Sequence, residues 1–284
     1  MRASFDRITL TLAQRCRLGN GAAFAARRNG SAPPTPDLVL YEYEASPYCR
    51  RVREALGVLG LTALIKPCPR ETLRREGAFS SLARHKPGVV ERGGRLLFPY
   101  LDDKTAGVAL NESRAIVDHL WQNYGTDVQE RPAADEYLNG GTLPRPIDFA
   151  LLAAPSGLRP WPSAGLLAAS ASRDAELPLI LHGSENEPGS RQVREVLCTL
   201  QLAYRSVPCE LDEGRPLPHL EDPNSGFRTF GARKAVEYLE ETYREGPTLG
   251  FSAPVPEPNL GDADRTSWLT GLLALVPRPL QRFL

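Results

Sequence analysis

The sequence predicts an α/β protein in which one mixed-sheet unit is used twice, the second time in shortened form. Self-similarity is the first observation behind this reading. Residues 38–68 overlay residues 179–209 without a gap at a shift of 141; Leu38, Leu40, Glu44, Pro47, Arg50, Val52, Arg53, Glu54, Leu56, Leu59, Leu61, Pro67 and Cys68 all recur. A second block matches at a shift of 119, where Phe98-Pro99-Tyr100-Leu101-Asp102-Asp103 corresponds to Leu217-Pro218-His219-Leu220-Glu221-Asp222. It continues through Gly107 and Gly226 to Ile116-Val117-Asp118-His119-Leu120 against Ala235-Val236-Glu237-Tyr238-Leu239. The two shifts differ by 22 residues, which the second copy lacks in its middle. The second observation is the order of periodicities within a copy: strand, helix, strand, helix, hairpin, helix, the pattern of a layered fold with a mixed sheet.

Taken in order, residues 1–36 combine Arg with Ser, Thr, Ala and Gly, are nearly free of acids and end in a Pro-rich run. That composition fits an organelle transit peptide, with a disordered tail or a misassigned start as alternatives. The first copy occupies residues 37–124. Its β-prone run Leu38 to Tyr43 leads through a Pro-containing turn to a helix whose apolar positions Val52, Ala55, Leu56 and Leu59 have helical spacing and whose stop is Gly60. A strand over Ala63 to Lys66, an Arg-rich stretch with weak helical pattern from Glu71 to Ala83, a strand-turn-strand near Arg95 to Phe98 and Tyr100 to Asp102, and a helix from about Ser113 to Tyr124 complete it. Residues 125–177 are rich in Pro, Ala, Gly and Leu and read as a linker. The second copy spans 178–245, beginning with a strand at Leu179 to His182, and residues 246–284 form a tail. Only eight positions separate Cys209 from Leu217, against 30 between Cys68 and Phe98, so the second copy has room for a loop where the first has room for a helix. An apolar sheet face is therefore expected to need cover there, with Phe149 to Leu158 and Trp268 to Val276 as candidates.

Composition limits the function classes. Lys+Arg and Asp+Glu are equal at 34 each, which argues against a general nucleic-acid binder. No apolar stretch approaches the roughly 20 residues of a membrane helix. The five cysteines form no C-x-x-C pair and no zinc-finger spacing, and an odd count suits free thiols in a reducing compartment. His85, His119, His182 and His219 are scattered along the chain with no metal-ligand partner nearby in sequence, so no metal is expected. The run Arg50-Arg51-Val52-Arg53 reads as a solvated helix face, with a basic rim for an anionic ligand as the alternative.

Three motifs occur in order: Ser46-Pro47-Tyr48-Cys49-Arg50-Arg51-Val52-Arg53 after the first strand, Phe98-Pro99-Tyr100-Leu101 before a later one, and Asn111-Glu112-Ser113-Arg114-Ala115-Ile116 opening the last helix. Together they resemble the N-terminal domain of glutathione transferases and glutaredoxins. The resemblance implies two tandem thioredoxin-like folds, each a mixed four-stranded sheet with helices. Two such copies behind a transit-like leader are similar to a plant, algal and cyanobacterial group, which implies a plastid location, with the mitochondrion as runner-up.

In that family the turn before the first helix directs N–H groups and a positive helix end at a thiolate. The resemblance thus implies that Ser46 donates a hydrogen bond to the glutathione thiolate. Cys49 stands at the place of a resolving thiol, and its alternatives are a packed side chain or a reactive group. Phe98 and Pro99 match the residue pair at the family's cis-proline, whose backbone takes the tripeptide as an added strand. Glu112 and Ser113 match the pair that receives the γ-glutamyl carboxylate, with a plain helix cap as the alternative. Glutathione is the implied ligand or substrate, the second substrate being an electrophile or a protein partner. In the second copy Glu187, Gly189 and Ser190 replace Ser46, Tyr48 and Cys49, and Gly231-Ala232 replace Glu112-Ser113. Three functions compete: a glutathione transferase-like protein binding through the first copy, a non-catalytic scaffold, and a reductase based on Cys49. Whether the protein turns over is left open by the sequence.

Overall fold

The computed structural model describes residues 35–69, 97–125, 170–209 and 216–245, with residues 84, 85, 89, 147, 150, 153 and 154. Most of the leader, most of the linker, the Glu71 to Ala83 stretch and the tail lie outside the described residues. In the first unit β1 is Leu38–Glu42, α1 Pro47–Leu59, β2 Ala63–Pro67, β3 Tyr100–Asp103, β4 Val108–Asn111 and α2 Ser113–Tyr124. The second unit repeats that order: β5 Leu179–Gly183, α3 Pro188–Thr199, β6 Tyr204–Pro208, β7 His219–Asp222, β8 Phe227–Phe230 and α4 Ala232–Tyr243.

Local chemistry sets these boundaries. Pro47 in the first turn of α1 has no N–H to leave unpaired, and Gly60 ends the helix in the left-handed region at φ 68°. The hairpin differs from the expected one: β3 pairs with β4, Tyr100 opposite Asn111 and Asp103 opposite Val108, so it lies after Pro99 and not across it. Gly107 at φ 69° supplies the positive backbone angle that turn needs, and Gly226 at φ 75° does so in the second unit. Each hairpin is tied to the last helix of its unit by a buried carboxylate. Asp103 accepts from Tyr124 at 2.6 Å and contacts His119 at 2.8 Å; Asp222 accepts from Tyr238 at 2.6 Å and from Tyr243.

Each unit forms the expected mixed four-stranded sheet, and the two are joined edge to edge into one eight-stranded sheet, in the order β4-β3-β1-β2-β6-β5-β7-β8. Its two halves join where β2 and β6 pair antiparallel, Ala63 opposite Ser206 and Ile65 opposite Tyr204. The order reads alike from either edge, so the units meet about an approximate two-fold axis. All four helices pack on one face over a single core that includes Leu40, Ile65 and Leu101 from one unit and Leu181, Leu202 and Leu220 from the other.

The seam overturns the reading of the Arg run. Arg50, Arg51 and Arg53 are 2 %, 6 % and 4 % exposed, so this face of α1 is buried. Arg53 reaches across the seam to Glu185 at 2.9 Å, and its repeat equivalent Arg194 reaches back to Glu44 at 3.0 Å. Within each unit Arg53 also meets Glu44 at 3.2 Å and Arg194 meets Glu185 at 3.3 Å. The pairs Arg50–Glu54 and Arg191–Glu195 flank this square along their helices. These eight side chains are all members of the repeat, so the recurrence is explained by a reciprocal ion network. Glu42 joins it through Arg53, but its repeat position is Gly183, where an added Cβ would lie 2.7 Å from Ser190 Oγ.

The opposite sheet face also departs from expectation. In the first unit Val39, Tyr41, Cys68, Val89 and Tyr100 bury one another there. In the second unit the strand register puts Ile180, His182, Arg205, Val207, His219, Glu221, Arg228 and Phe230 on that face. It is therefore largely polar, and the expected apolar sheet surface is not formed. Of the two covers expected for it, Trp268 to Val276 lies outside the described residues, and of Phe149 to Leu158 only Ala150, Ala153 and Ala154 are described, all helical.

Candidate functional site

The candidate residues of the first unit gather at one end of α1. Ser46 is 1 % exposed, and its Oγ accepts a hydrogen bond from the Cys49 N–H at 3.2 Å. The Ser46 hydroxyl is thus a buried helix cap, which still retains its own proton to donate. Cys49 is fully buried, and desolvation pushes its thiol up to about 12, further opposed to ionisation by Glu42. The Ser46 hydroxyl and a hydrogen bond from the Tyr43 backbone act the other way without reversing this. A protonated, enclosed thiol neither attacks nor resolves a disulfide, so the structure places Cys49 in the packing of α1.

Phe98 precedes Pro99 through a cis peptide bond, as Leu217 precedes Pro218 in the second unit. Phe98 is half-buried and meets Tyr43 edge to face, ring centroids 6.4 Å apart, which brings this bend against the loop that carries Ser46. Glu112 caps α2 at φ 72° and makes no side-chain cap hydrogen bond. Positive φ is uncommon for a residue with a Cβ, and Gly231 holds the equivalent place at φ 86°. A non-glycine residue kept in that conformation marks a constrained site. Ser113 is 4 % exposed, and Arg51 Nη1 donates to its Oγ at 3.4 Å.

Sequence reasoning offered the Arg run only as an alternative basic rim and did not pair Arg51 with Ser113. The signal was present: the repeat aligns Arg51 with Gln192 and Ser113 with Ala232, so the charge and the hydroxyl vanish together. In the first unit a guanidinium, a hydroxyl and the N-terminal N–H groups of α2 converge, an arrangement chemically suited to receive a carboxylate.

The second unit closes its corresponding end from within. Glu187 caps α3 and its carboxylate accepts from the N–H groups of Gly189, at 2.7 Å, and Ser190. It also accepts from Ser190 Oγ at 2.7 Å. An anion brought to these N–H groups would have to displace a covalently attached one.

Of the four histidines, two are held individually by other groups. His119 is bound to Asp103, and His85 Nε2 lies 3.0 Å from the Gln201 carbonyl, where burial pulls its pKa down to about 4. The other two are brought together: β5 and β7 pair with His182 opposite His219, their rings stacked at 5.1 Å. A small cleft at the seam is lined by Arg53, Leu56, Ile65, Leu181, Glu185 and Cys209, and none of the candidate glutathione residues borders it. No helix among the described residues is long and apolar enough to cross a membrane.

Residues 40–131 match the family model described as glutathione S-transferase, N-terminal domain. No curated protein and no solved structure matches the chain. The match takes in Ser46, the Phe98–Pro99 bend and the Arg51–Ser113 cluster, and it stops short of the second unit. The segment from residue 40 to residue 131 is accordingly similar to a glutathione S-transferase N-terminal domain.

Proposed function

We propose that the first unit binds glutathione and that the second unit is its non-binding structural counterpart. The observation that carries this reading is the convergence of Arg51, Ser113 and the strained Glu112 at the start of α2 inside the segment that matches the transferase domain. The γ-glutamyl carboxylate would sit against Arg51 and Ser113, the peptide backbone along Phe98, and the sulfur at the Ser46 end of α1. There the helix N-terminus favours the thiolate and the Ser46 proton stabilises it. The whole chain is then a tandem arrangement of the same domain, of the plant, algal and cyanobacterial kind. Plastid import rests on the basic, acid-poor composition of residues 1–36.

Glutathione transfer to an electrophile is the activity this arrangement favours. The scaffold reading draws support from the second unit, whose Glu187 occupies its own helix N-terminus. The Cys49 reductase is the least supported, because its thiol is enclosed.

Calorimetry with glutathione and the full chain tests the proposal. Millimolar or tighter binding is expected, and Arg51→Ala or Ser113→Ala is expected to weaken it about tenfold or more, since a hydrogen bond to a charged group is worth about 1.5 to 3 kcal/mol. Ser46→Ala is expected to raise the pKa of bound glutathione, read by thiolate absorbance, and to cost about 1 kcal/mol of stability through the lost cap. No binding at millimolar glutathione would leave the scaffold as the function.

A further inference from the structure

The second unit carries histidines where the first carries tyrosines. His182 and His219 stand 141 and 119 positions after Tyr41 and Tyr100, and both pairs face each other across neighbouring strands. In the first unit the tyrosine rings lie 5.6 Å apart in an apolar cluster. In the second, Glu221 lies two residues beyond His219 on the same face of β7. Its Oε1 is 3.0 Å from His182 Nε2 and 3.7 Å from His219 Nδ1. One ligand atom from each of the three residues falls within 4.8 Å of the others.

We propose that His182, His219 and Glu221 form a binding site for a divalent transition metal ion of the zinc class. Zinc bonds of about 2.0 to 2.2 Å place tetrahedral donors about 3.3 Å apart, a spacing that the two measured separations bracket. Two imidazoles and one carboxylate suit zinc, copper, nickel or iron and not magnesium or calcium. Arg228 Nε holds the other carboxylate oxygen, Oε2, at 3.1 Å, which orients Glu221 and leaves Oε1 facing the histidines. Phe230 stacks on the His219 ring at 4.3 Å and fixes its plane. The three side chains are 28 %, 19 % and 20 % exposed, so an ion has a path in and keeps a position for water or a small anion. On binding, the ion replaces the hydrogen bond between His182 Nε2 and Glu221 Oε1. This site is independent of the glutathione proposal, because it lies on the other unit and uses none of the same residues.

The test is titration of the full chain with Zn2+ against a chromogenic chelator, and with Co2+ followed by its visible absorption. One equivalent is expected at this site. His182→Tyr and His219→Tyr restore the residues that the first unit packs at these positions, and Glu221→Gln keeps the side-chain size; each is expected to weaken binding about tenfold or more. Cys209→Ser is expected to leave it unchanged. Absence of binding at micromolar metal, affinity unaltered by the histidine substitutions, or a Co2+ spectrum with thiolate charge-transfer bands would overturn the proposal.

Discussion

At the residue scale the decisive feature is Glu42. Three carboxylates, Glu42, Glu44 and Glu185, face the guanidiniums of Arg53 and Arg194 in the seam, so one acid is in excess. Burial pushes Glu42 up to about 7, with the neighbouring Glu44 and Glu185 adding to the rise and Arg53 opposing it. Glu185 goes the other way: burial alone would raise it, but Arg194, Arg53 and Arg50 hold it down at about 2. The signs have separate consequences. The folded-state pKa of Glu42 lies above its ordinary 4.5, so its contribution is fully present below about 4.5 and is lost as pH rises through about 7. That of Glu185 lies below 4.5, so its contribution is present above about 4.5 and is lost as pH falls through about 2. We predict that the melting temperature drifts downward from pH 4.5 to 7 and that Glu42→Gln flattens this limb while leaving the acid limb intact. An unchanged slope in Glu42→Gln by scanning calorimetry would assign the proton elsewhere.

At the element scale, the starts of α1 and α3 show one position solving one problem in two ways. A helix leaves its first N–H groups without intrahelical partners. Ser46 satisfies one with a neutral hydroxyl, and Glu187 satisfies two with a charge that also complements the helix dipole. The neutral cap leaves the positive end of α1 uncompensated; the charged cap spends that of α3. Glu187→Ala is expected to destabilise the protein by about 1 kcal/mol, and Glu187→Ser to recover most of that loss. Urea melts of the two variants decide the matter, and equal stability of Glu187→Ala and the unmutated protein would show that the cap contributes nothing.

On the scale of the whole molecule, the seam makes the two units one folding body. The β2–β6 ladder leaves neither strand as an open edge. The ion square spans it, and residues 84 and 85 of the first unit also hold Gln201 of the second, Arg84 N–H donating to its Oε1 at 2.8 Å. Removing one member of a buried pair strands a charge, at a cost of about 3 to 5 kcal/mol. Arg53→Ala and Glu185→Ala are each expected to cost about that much, and the double variant clearly less than the sum, by about 1 kcal/mol or more. Strict additivity in chemical denaturation would mean that the two side chains do not interact across the seam. The second unit is thus held by the first through strand pairing and charge, and not by a cover on an apolar face.

Short-range chemistry is what the amino-acid order alone determined. The repeat, the element order, the Gly60 stop of α1 and the span of α2 all follow from side-chain periodicity and capping within a few residues. Ser46, Phe98, Pro99, Glu112 and Ser113 were recognisable because their motifs are contiguous. What only the tertiary structure decided are the features whose partners lie far along the chain. Arg53 and Glu185 are 132 positions apart, and no local pattern distinguishes an arginine that meets such a partner from one that meets water. The same holds for His182 and His219, which are separate in sequence and become neighbours only through the β5–β7 register. Burial of a charge is stable only when a distant group compensates it, so its place in the structure is a property of the fold and not of the segment that carries it.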